Sequence, residues 1–365
     1  MSTIKRISPY AMTAAVTLVF YWVVSTLILP STLSNLSFWG LWFGGMLLGV
    51  LPLMYLEVAY AKRARALPIT AMSDLTRQSD SPKFYRVAAW LGFFALSAGM
   101  IGLINEAQLL SESLAMGRVN LGFKLTDPWV LAVLSAAVFA VAALKLQVLP
   151  IIAAVGAVIA LLVSGFDLIA AWHISRLSLW DAGFAVGLGV AGSLVGSGLY
   201  WQMSLSKHNQ SREPVSIVIS LWAIQLISGV LFACFAGANT PLGVAAMSVA
   251  LLLIACALAP LIYNLLLTRF KSPFSALGVI ALMLVFWSLP LANNLLWMTW
   301  LSVLLLACLT HAIFAGWNMK ISHLRKSLKF DTEVGYNLWR VMIRLVVPLL
   351  VAFSLISFWQ TLLVR

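Results

Sequence analysis

Charge is what this chain lacks most. Of its 365 residues 9% are charged and 62% hydrophobic, whereas an ordinary soluble domain has about 25% charged and 45–50% apolar residues. A water-facing surface of the usual kind is thereby excluded. Cysteine is scarce: Cys234, Cys256 and Cys308 all lie in apolar runs, without the spacing of a disulfide framework or structural zinc, and read as small packing residues. Histidine is equally sparse, and His311 is the one that falls inside an apolar run. There is no His/Cys/Asp cluster at ligand spacing, no Gly-rich phosphate loop and no nucleophile elbow. No metal site, no cofactor and no enzymatic reaction is expected.

What is present is apolar sequence almost end to end. A bilayer core of roughly 30 Å needs about 20 mainly apolar helical residues. Such runs fall near 9–30, 37–61, 84–115, 128–144, 147–172, 181–204, 214–237, 241–268, 273–291, 294–318 and 335–363. The expectation is an all-α integral membrane protein with about eleven transmembrane helices joined by short loops. The first run, after Lys5 and Arg6, is long for a signal peptide and has no clear cleavage site, so it reads as a retained span.

The net charge of +12 could suggest nucleic acid, but the cations sit in short connections such as Lys62 to Arg65 and Lys320 to Lys329, which is the pattern that orients a membrane protein. With the N-terminus in the cytoplasm, 19 of the 23 Lys and Arg fall on the inside; Arg118, Lys124, Arg176 and Arg365 fall outside. That split supports an odd number of spans in a cell (inner) membrane, with the C-terminus outside. Eleven divides as five, five and one. Spans over about 9–172 and about 181–319 would have opposite orientations, as in inverted-repeat transporters, followed by an extra helix at about 335–363.

Few residues in the spans carry chemistry. The sixth run holds six glycines, at 183, 187, 189, 192, 196 and 198. One reading is close helix packing through small-residue spacings. The other centres on Gly196-Ser197-Gly198, where glycines weaken a helix by roughly 1 kcal/mol each and could unwind it; unwound backbone at membrane depth must be buried in protein or line a cavity. Glu57 lies in the second run. A carboxylate at the bilayer centre costs at least about 2.5–3.5 kcal/mol, so it should be buried with a partner, the alternative being an interfacial position five residues before Lys62. Asn105-Glu106-Ala107-Gln108 is a polar notch in the third run; Glu106 reads as a proton carrier or cation ligand, or else as a polar contact between helices. Glu112 and Asp167 lie near span ends and read as interfacial, and His311 reads as hydrogen-bonded structure. Trp39, Trp129, Trp172, Trp180 and Trp297 fall near span ends, as in an aromatic belt.

Three segments resemble the neurotransmitter:sodium symporter family. Phe43 to Ala59, with Gly49-Val50-Leu51-Pro52-Leu53-Met54 and Glu57, resembles its second helix. Trp180 to Ser204 resembles its sixth helix, with Gly196-Ser197-Gly198 at the unwound segment. Val334 to Pro348 resembles its eleventh. The resemblance implies the leucine-transporter fold, a five-plus-five inverted repeat binding an amino-acid-like substrate between broken helices 1 and 6. It implies that Glu57 steadies the unwound part of helix 6 by accepting backbone N–H bonds, and that Ser25, Thr26, Gly196, Ser197 and Gly198 line the central site. The chain departs from the family at Tyr21 to Leu29, which has neither glycine nor arginine, at Ala255 to Pro260, which has no paired hydroxyls, and in span 3, which has no tyrosine. A hard cation needs oxygen ligands, so a coupling proton carried by Glu106 or Glu57 is as good an expectation as Na+. The function expected is secondary active transport of a small organic solute, an amino acid or related amine, by alternating access. The alternative is a membrane receptor or assembly protein that keeps the fold without transporting. The expected partners are a small-molecule substrate and the lipid bilayer, without nucleic acid; a homodimer is left open.

Overall fold

A computed structural model of the chain describes residues 2–115, 124–164, 171–206, 209, 212–235, 240–319, 321–330 and 332–364. Of the residues singled out above, Arg118, Asp167, Lys320 and Arg365 lie outside this set. The described residues form helices and no strand. In chain order the main ones are α1 (Ser2–Ser25), α2 (Leu36–Ala64), α3 (Val87–Ala115), α4 (Pro128–Ala143), α5 (Leu149–Ser164), α6a (Leu179–Ser193) and α6b (Leu199–Ser204). They continue with α7 (Pro214–Phe235), α8 (Pro241–Phe270), α9 (Pro273–Trp287), α10 (Asn293–Asn318) and α11, which begins at Glu333 and ends at Val364. Seven of them are long and apolar enough to cross a membrane, α4, α5 and α9 are apolar but shorter, and α6 is divided. Each falls on one of the eleven runs read from hydropathy.

Local chemistry marks the boundaries. Proline occupies the first position of α4, α7, α8 and α9, where its missing N–H has no intrahelical acceptor to lose and its fixed φ suits a helix start. Ser178 caps α6a by accepting from Asp181 N at 3.1 Å, and Thr240 caps α8 by accepting from Gly243 N at 3.1 Å. At the other ends, Arg65 after α2 and Lys271 after α8 take the left-handed conformation with φ of 51° and 55°, placing cations at the negative end of the helix dipole.

The chain divides into two compact units, residues 1–34, 97–173 and 227–297 in the first and 35–96, 174–226 and 298–365 in the second. Each draws segments from both halves of the sequence. In the first, α8 lies along α5 and α1 packs on both. Gly102 of α3 leaves room for the rings of Trp287 and Trp297, which a Cβ there would overlap. Trp287 Nε1 donates to Ala98 O at 2.7 Å.

In the second unit α6a is packed between α2 and α11. Val186 Cα lies 3.0 Å from where a Cβ on Gly45 would stand, and Cβ atoms on Gly183 and Gly187 would run into Ser357 and Phe358 of α11. Those two glycines serve close packing, one of the two roles read from the sequence. The same unit holds three π-helical turns, Met46–Val50 in α2, Phe314–Asn318 in α10 and Met342–Val346 in α11. Trp222 Nε1 donates to Met46 O at 2.9 Å, and Arg344 in the third turn donates to Gly316 O in the second while its guanidinium lies 5.5 Å over the Trp317 ring.

Large apolar side chains stand exposed along α5, α9 and α11, among them Ile152, Val155, Ile159, Leu277, Leu282, Val285, Leu345, Leu349 and Ile356. Contiguous apolar surface on this scale is unfavourable in water and natural against lipid. The chain is a multi-pass membrane protein.

Gly187→Ala is expected to lower the thermal unfolding midpoint in detergent, because the added methyl must displace the Phe358 ring and overpacking costs about 1–3 kcal/mol. Gly40→Ala, where an added Cβ meets nothing within 4 Å, should leave it unchanged or slightly higher. Equal behaviour of the two variants would refute this packing account.

Candidate functional site

The sixth helix is interrupted where its glycines predict. α6a stops at Leu194, whose φ is 53°, and Gly196 and Gly198 follow with φ of +89° and +80°, a region that a residue without Cβ enters freely. This segment is deeply buried: Ser193, Leu194, Val195 and Leu199 are 0% exposed and Ser197 2%. Peptide groups in such a place must be hydrogen-bonded, because an unpaired one costs about 1–3 kcal/mol. Leu194 N reaches Ala191 O at 3.1 Å and Ser197 N reaches Leu194 O at 3.2 Å. Val195 N finds Ser193 Oγ and Leu199 N finds Ser197 Oγ, both at 3.3 Å. The remaining donors go to Glu57.

Glu57 stands on α2 with 3% of its surface exposed. Its Oε1 accepts from Gly196 N at 2.5 Å and Gly198 N at 3.2 Å, and its Oε2 accepts from Trp201 N at 3.1 Å. One carboxylate thus spans both sides of the break. Three carbonyls are met as well: Tyr200 Oη donates to Ser193 O at 2.5 Å, Ser197 Oγ to Leu194 O at 2.6 Å and Cys308 Sγ to Val195 O at 3.1 Å. Gln225 Nε2 donates in turn to Tyr200 Oη. Gly92 of α3 lies so close that a Cβ on it would meet Gly196 O. No N–H from Leu194 through Leu199 remains for a ligand. Trp201 Nε1 donates to Ala66 O at 2.9 Å, anchoring α6b to the chain beyond α2.

The first unit contains a cavity of about 580 Å³ bordered by Trp22, Ser25 and Thr26 at the end of α1, by Glu106, Leu110 and Ser113 of α3, and by Phe232, Pro241 and Val244. Glu106 is 6% exposed. Its Oε2 accepts from Asn293 Nδ2 at 3.1 Å and Trp297 Nε1 at 3.2 Å. Asn105 Nδ2 donates to Asn293 Oδ1 at 3.2 Å, which orients that amide. Among the described residues no donor reaches Glu106 Oε1, and no lysine or arginine lines the cavity. Ser25 Oγ and Thr26 Oγ1 give their protons to Trp22 O and Val23 O, both at 2.7 Å, and so present lone pairs. The cavity is apolar with a rim of acceptors and one carboxylate, a lining that suits a cationic or amine group.

Ser25, Thr26 and Glu106 therefore come together in the first unit, and Gly196, Ser197, Gly198 and Glu57 in the second. α1 runs unbroken to Ser25, so the broken first helix implied by the family resemblance is absent; Tyr21 to Leu29 contains no glycine to open it. Two belt assignments are corrected. Trp297 is 0% exposed and hydrogen-bonds Glu106, and Trp39 is 8% exposed within a cluster with Phe38 and Trp42; Trp129, 53% exposed, lies at the surface. His311 is buried beside Tyr60, and among the described residues its Nδ1 has no hydrogen-bond partner. Glu112, read as interfacial, accepts from Leu125 N at 2.5 Å. Asn293, Trp297, Tyr200, Gln225 and Cys308 were not singled out as site residues, and a single sequence does not distinguish a tryptophan that serves a carboxylate from one that faces lipid.

No family model and no curated protein matches the sequence. Solved structures do match. The crystal structure of MhsT in complex with L-phenylalanine, a neurotransmitter:sodium symporter with the leucine-transporter fold, is similar with a TM-score of 0.72 over 97% of this chain and 98% of that chain, at 16% identity. A mutant of the Eremococcus coleocola manganese transporter is similar with a TM-score of 0.52 over 98% of this chain and 88% of that chain, at 12% identity. The chain has the leucine-transporter fold.

Glu57→Ala removes the acceptor of three buried N–H groups, each worth about 1–3 kcal/mol when left unmade, and is expected to unfold in detergent far below the wild type. Glu57→Gln retains one acceptor oxygen but turns an NH2 toward a donor, and should fall between them. An alanine variant as stable as the wild type would show that the carboxylate does not hold the break.

Proposed function

We propose that this chain is a secondary active transporter that moves a small organic solute, an amino acid or related amine, by alternating access, as a divergent relative of the neurotransmitter:sodium symporters in a cell membrane. The observation that carries the reading is the interrupted α6, whose peptide groups are held by one buried carboxylate. A helix divided at membrane depth is costly unless its backbone is buried in protein and paired, as here, and discontinuous helices mark the binding elements of such carriers. Gly196, Ser197 and Gly198 then act as the joint about which α6b moves, and Ser25, Thr26 and Glu106 meet the solute.

The choice of solute rests on the cavity chemistry. A carboxylate with one uncommitted oxygen, flanked by hydroxyl lone pairs and aromatic faces, favours an ammonium group. MhsT was crystallised with L-phenylalanine, a solute carrying such a group. A manganese cargo is disfavoured here, since the described residues bring together no group of three or more His, Cys, Asp or Glu that could hold a metal. Coupling to protons through Glu106 is favoured over sodium because Ala255 to Pro260 offers no side-chain hydroxyl. The 19-to-4 division of cations supports an N-terminus in the cytoplasm and a C-terminus outside.

Purified protein in proteoliposomes is expected to take up labelled L-phenylalanine or another amino acid or amine saturably, faster with a proton gradient than with a sodium gradient alone. Glu106→Gln should lower kcat/KM about tenfold or more, since a charge-assisted bond of about 1.5–3 kcal/mol is lost. Saturable binding without uptake would favour a receptor that retains the fold. Neither binding nor uptake of any amino acid or amine would end the proposal.

A further inference from the structure

The second unit contains a polar hollow of about 400 Å³ in which six cations converge, Lys62, Arg63, Arg65, Arg212, Lys326 and Lys329, with Glu213 as the single carboxylate of the lining. They come from three segments far apart in sequence: the end of α2, the start of α7, and the end of a short helix over Ile321–Leu328. Orienting a membrane protein requires cations in its loops; it does not require them to gather in one concavity, where like charges repel. The charges of Lys329, Arg212 and Arg65 do act unfavourably on Lys62.

The hollow is built rather than loose. Lys62 Nζ is fixed by Asn209 O at 2.7 Å and Arg212 O at 2.8 Å, so it ties α2 to the connection between α6b and α7. Arg65 and Lys329 each occupy the left-handed position that ends a helix, with φ of 51° and 47°, and their backbone N–H groups close on Ala61 O at 2.9 Å and Arg325 O at 3.3 Å. Acidic residues elsewhere in this unit are engaged: Glu333 with Arg325 at 2.6 Å and Asp74 with Arg77 at 2.7 Å. Among the described residues, no acceptor meets the side chains of Arg65, Lys326 or Lys329.

We infer that this hollow binds a phosphate-bearing anion. A phosphate group presents several oxygens and more than one negative charge, which matches guanidinium and ammonium donors converging from several sides. The same chemistry is supplied by the headgroup of an anionic phospholipid and by a free phosphate compound. The inference rests on neither the solute carried nor the α6 break.

The test uses the full chain in nanodiscs of phosphatidylcholine at low salt, followed by thermal unfolding, with inorganic pyrophosphate added in one arm and phosphatidic acid incorporated in the other. The wild type is expected to gain several degrees in midpoint in at least one arm, the gain fading at high salt as screening grows. A response to phosphatidic acid alone identifies a lipid headgroup, and a response to pyrophosphate identifies a soluble phosphate. Arg65→Gln, Lys326→Gln and Lys329→Gln combined should weaken the responding probe at least tenfold in apparent affinity. If that variant does not fold, Lys326→Gln with Lys329→Gln, on two exposed side chains, should show a smaller loss in the same direction. No shift of the wild type in either arm, or an equal shift in the folded variant, would overturn the inference. Uptake is not read in this experiment, so failure here leaves the transport proposal untouched.

Discussion

Peptide N–H groups withdrawn from water must find acceptors, and in the second unit one carboxylate meets that demand for three of them. Glu57 is buried, and burial alone would make a carboxylate unfavourable there; the N–H donors of Gly196, Gly198 and Trp201 compensate it. The relation is mutual. Without the carboxylate the open backbone would lack acceptors, and without the open backbone the carboxylate would lack donors. The thiol of Cys308 and the hydroxyl of Tyr200 meet the corresponding need of the carbonyls. An interruption that is unfavourable in isolation becomes a defined structure when its buried N–H groups are paired.

The number of helices and their approximate places were legible in the sequence because both depend on local properties. Apolar length sets a span. Glu57 and the glycines of the sixth run were legible for a related reason: each breaks a strong local rule, a charge within an apolar run and weak helix formers within a helix. The two readings of the glycine run proved to be divided among its members, with Gly183 and Gly187 serving packing and Gly196 and Gly198 the break. What was not legible depends on contacts between distant residues. Trp297 obeys every rule for an interfacial tryptophan, and only tertiary packing reveals that its indole N–H is directed at Glu106, 191 positions away. The continuity of α1 shows the reverse case, in which the local sequence, lacking glycine, was a better guide than family resemblance.

A fold can persist at 16% identity because it asks for a pattern and not for particular residues. Apolar helices of sufficient length, a few glycines at close crossings and one buried carboxylate meet most of that request. The polar groups that choose a solute lie outside it and are free to change. In this chain two hydroxyls and a carboxylate border a mostly apolar cavity, while Tyr21 to Leu29 has no arginine and Ala255 to Pro260 no side-chain hydroxyl.

The π-helical turn over Met46–Val50 lies about two to three turns before Glu57 on the same helix. Such a turn accommodates one residue more than regular winding would, and each residue of an α-helix advances the azimuth by about 100°. The inserted residue therefore sets the rotational phase of all that follows it on α2. Losing a single residue upstream would swing Glu57 away from α6, while the chain kept its length in the bilayer and its hydropathy almost unaltered. Single-residue deletions in this stretch of α2 should thus be far rarer among descendants of this protein than substitutions at the same positions.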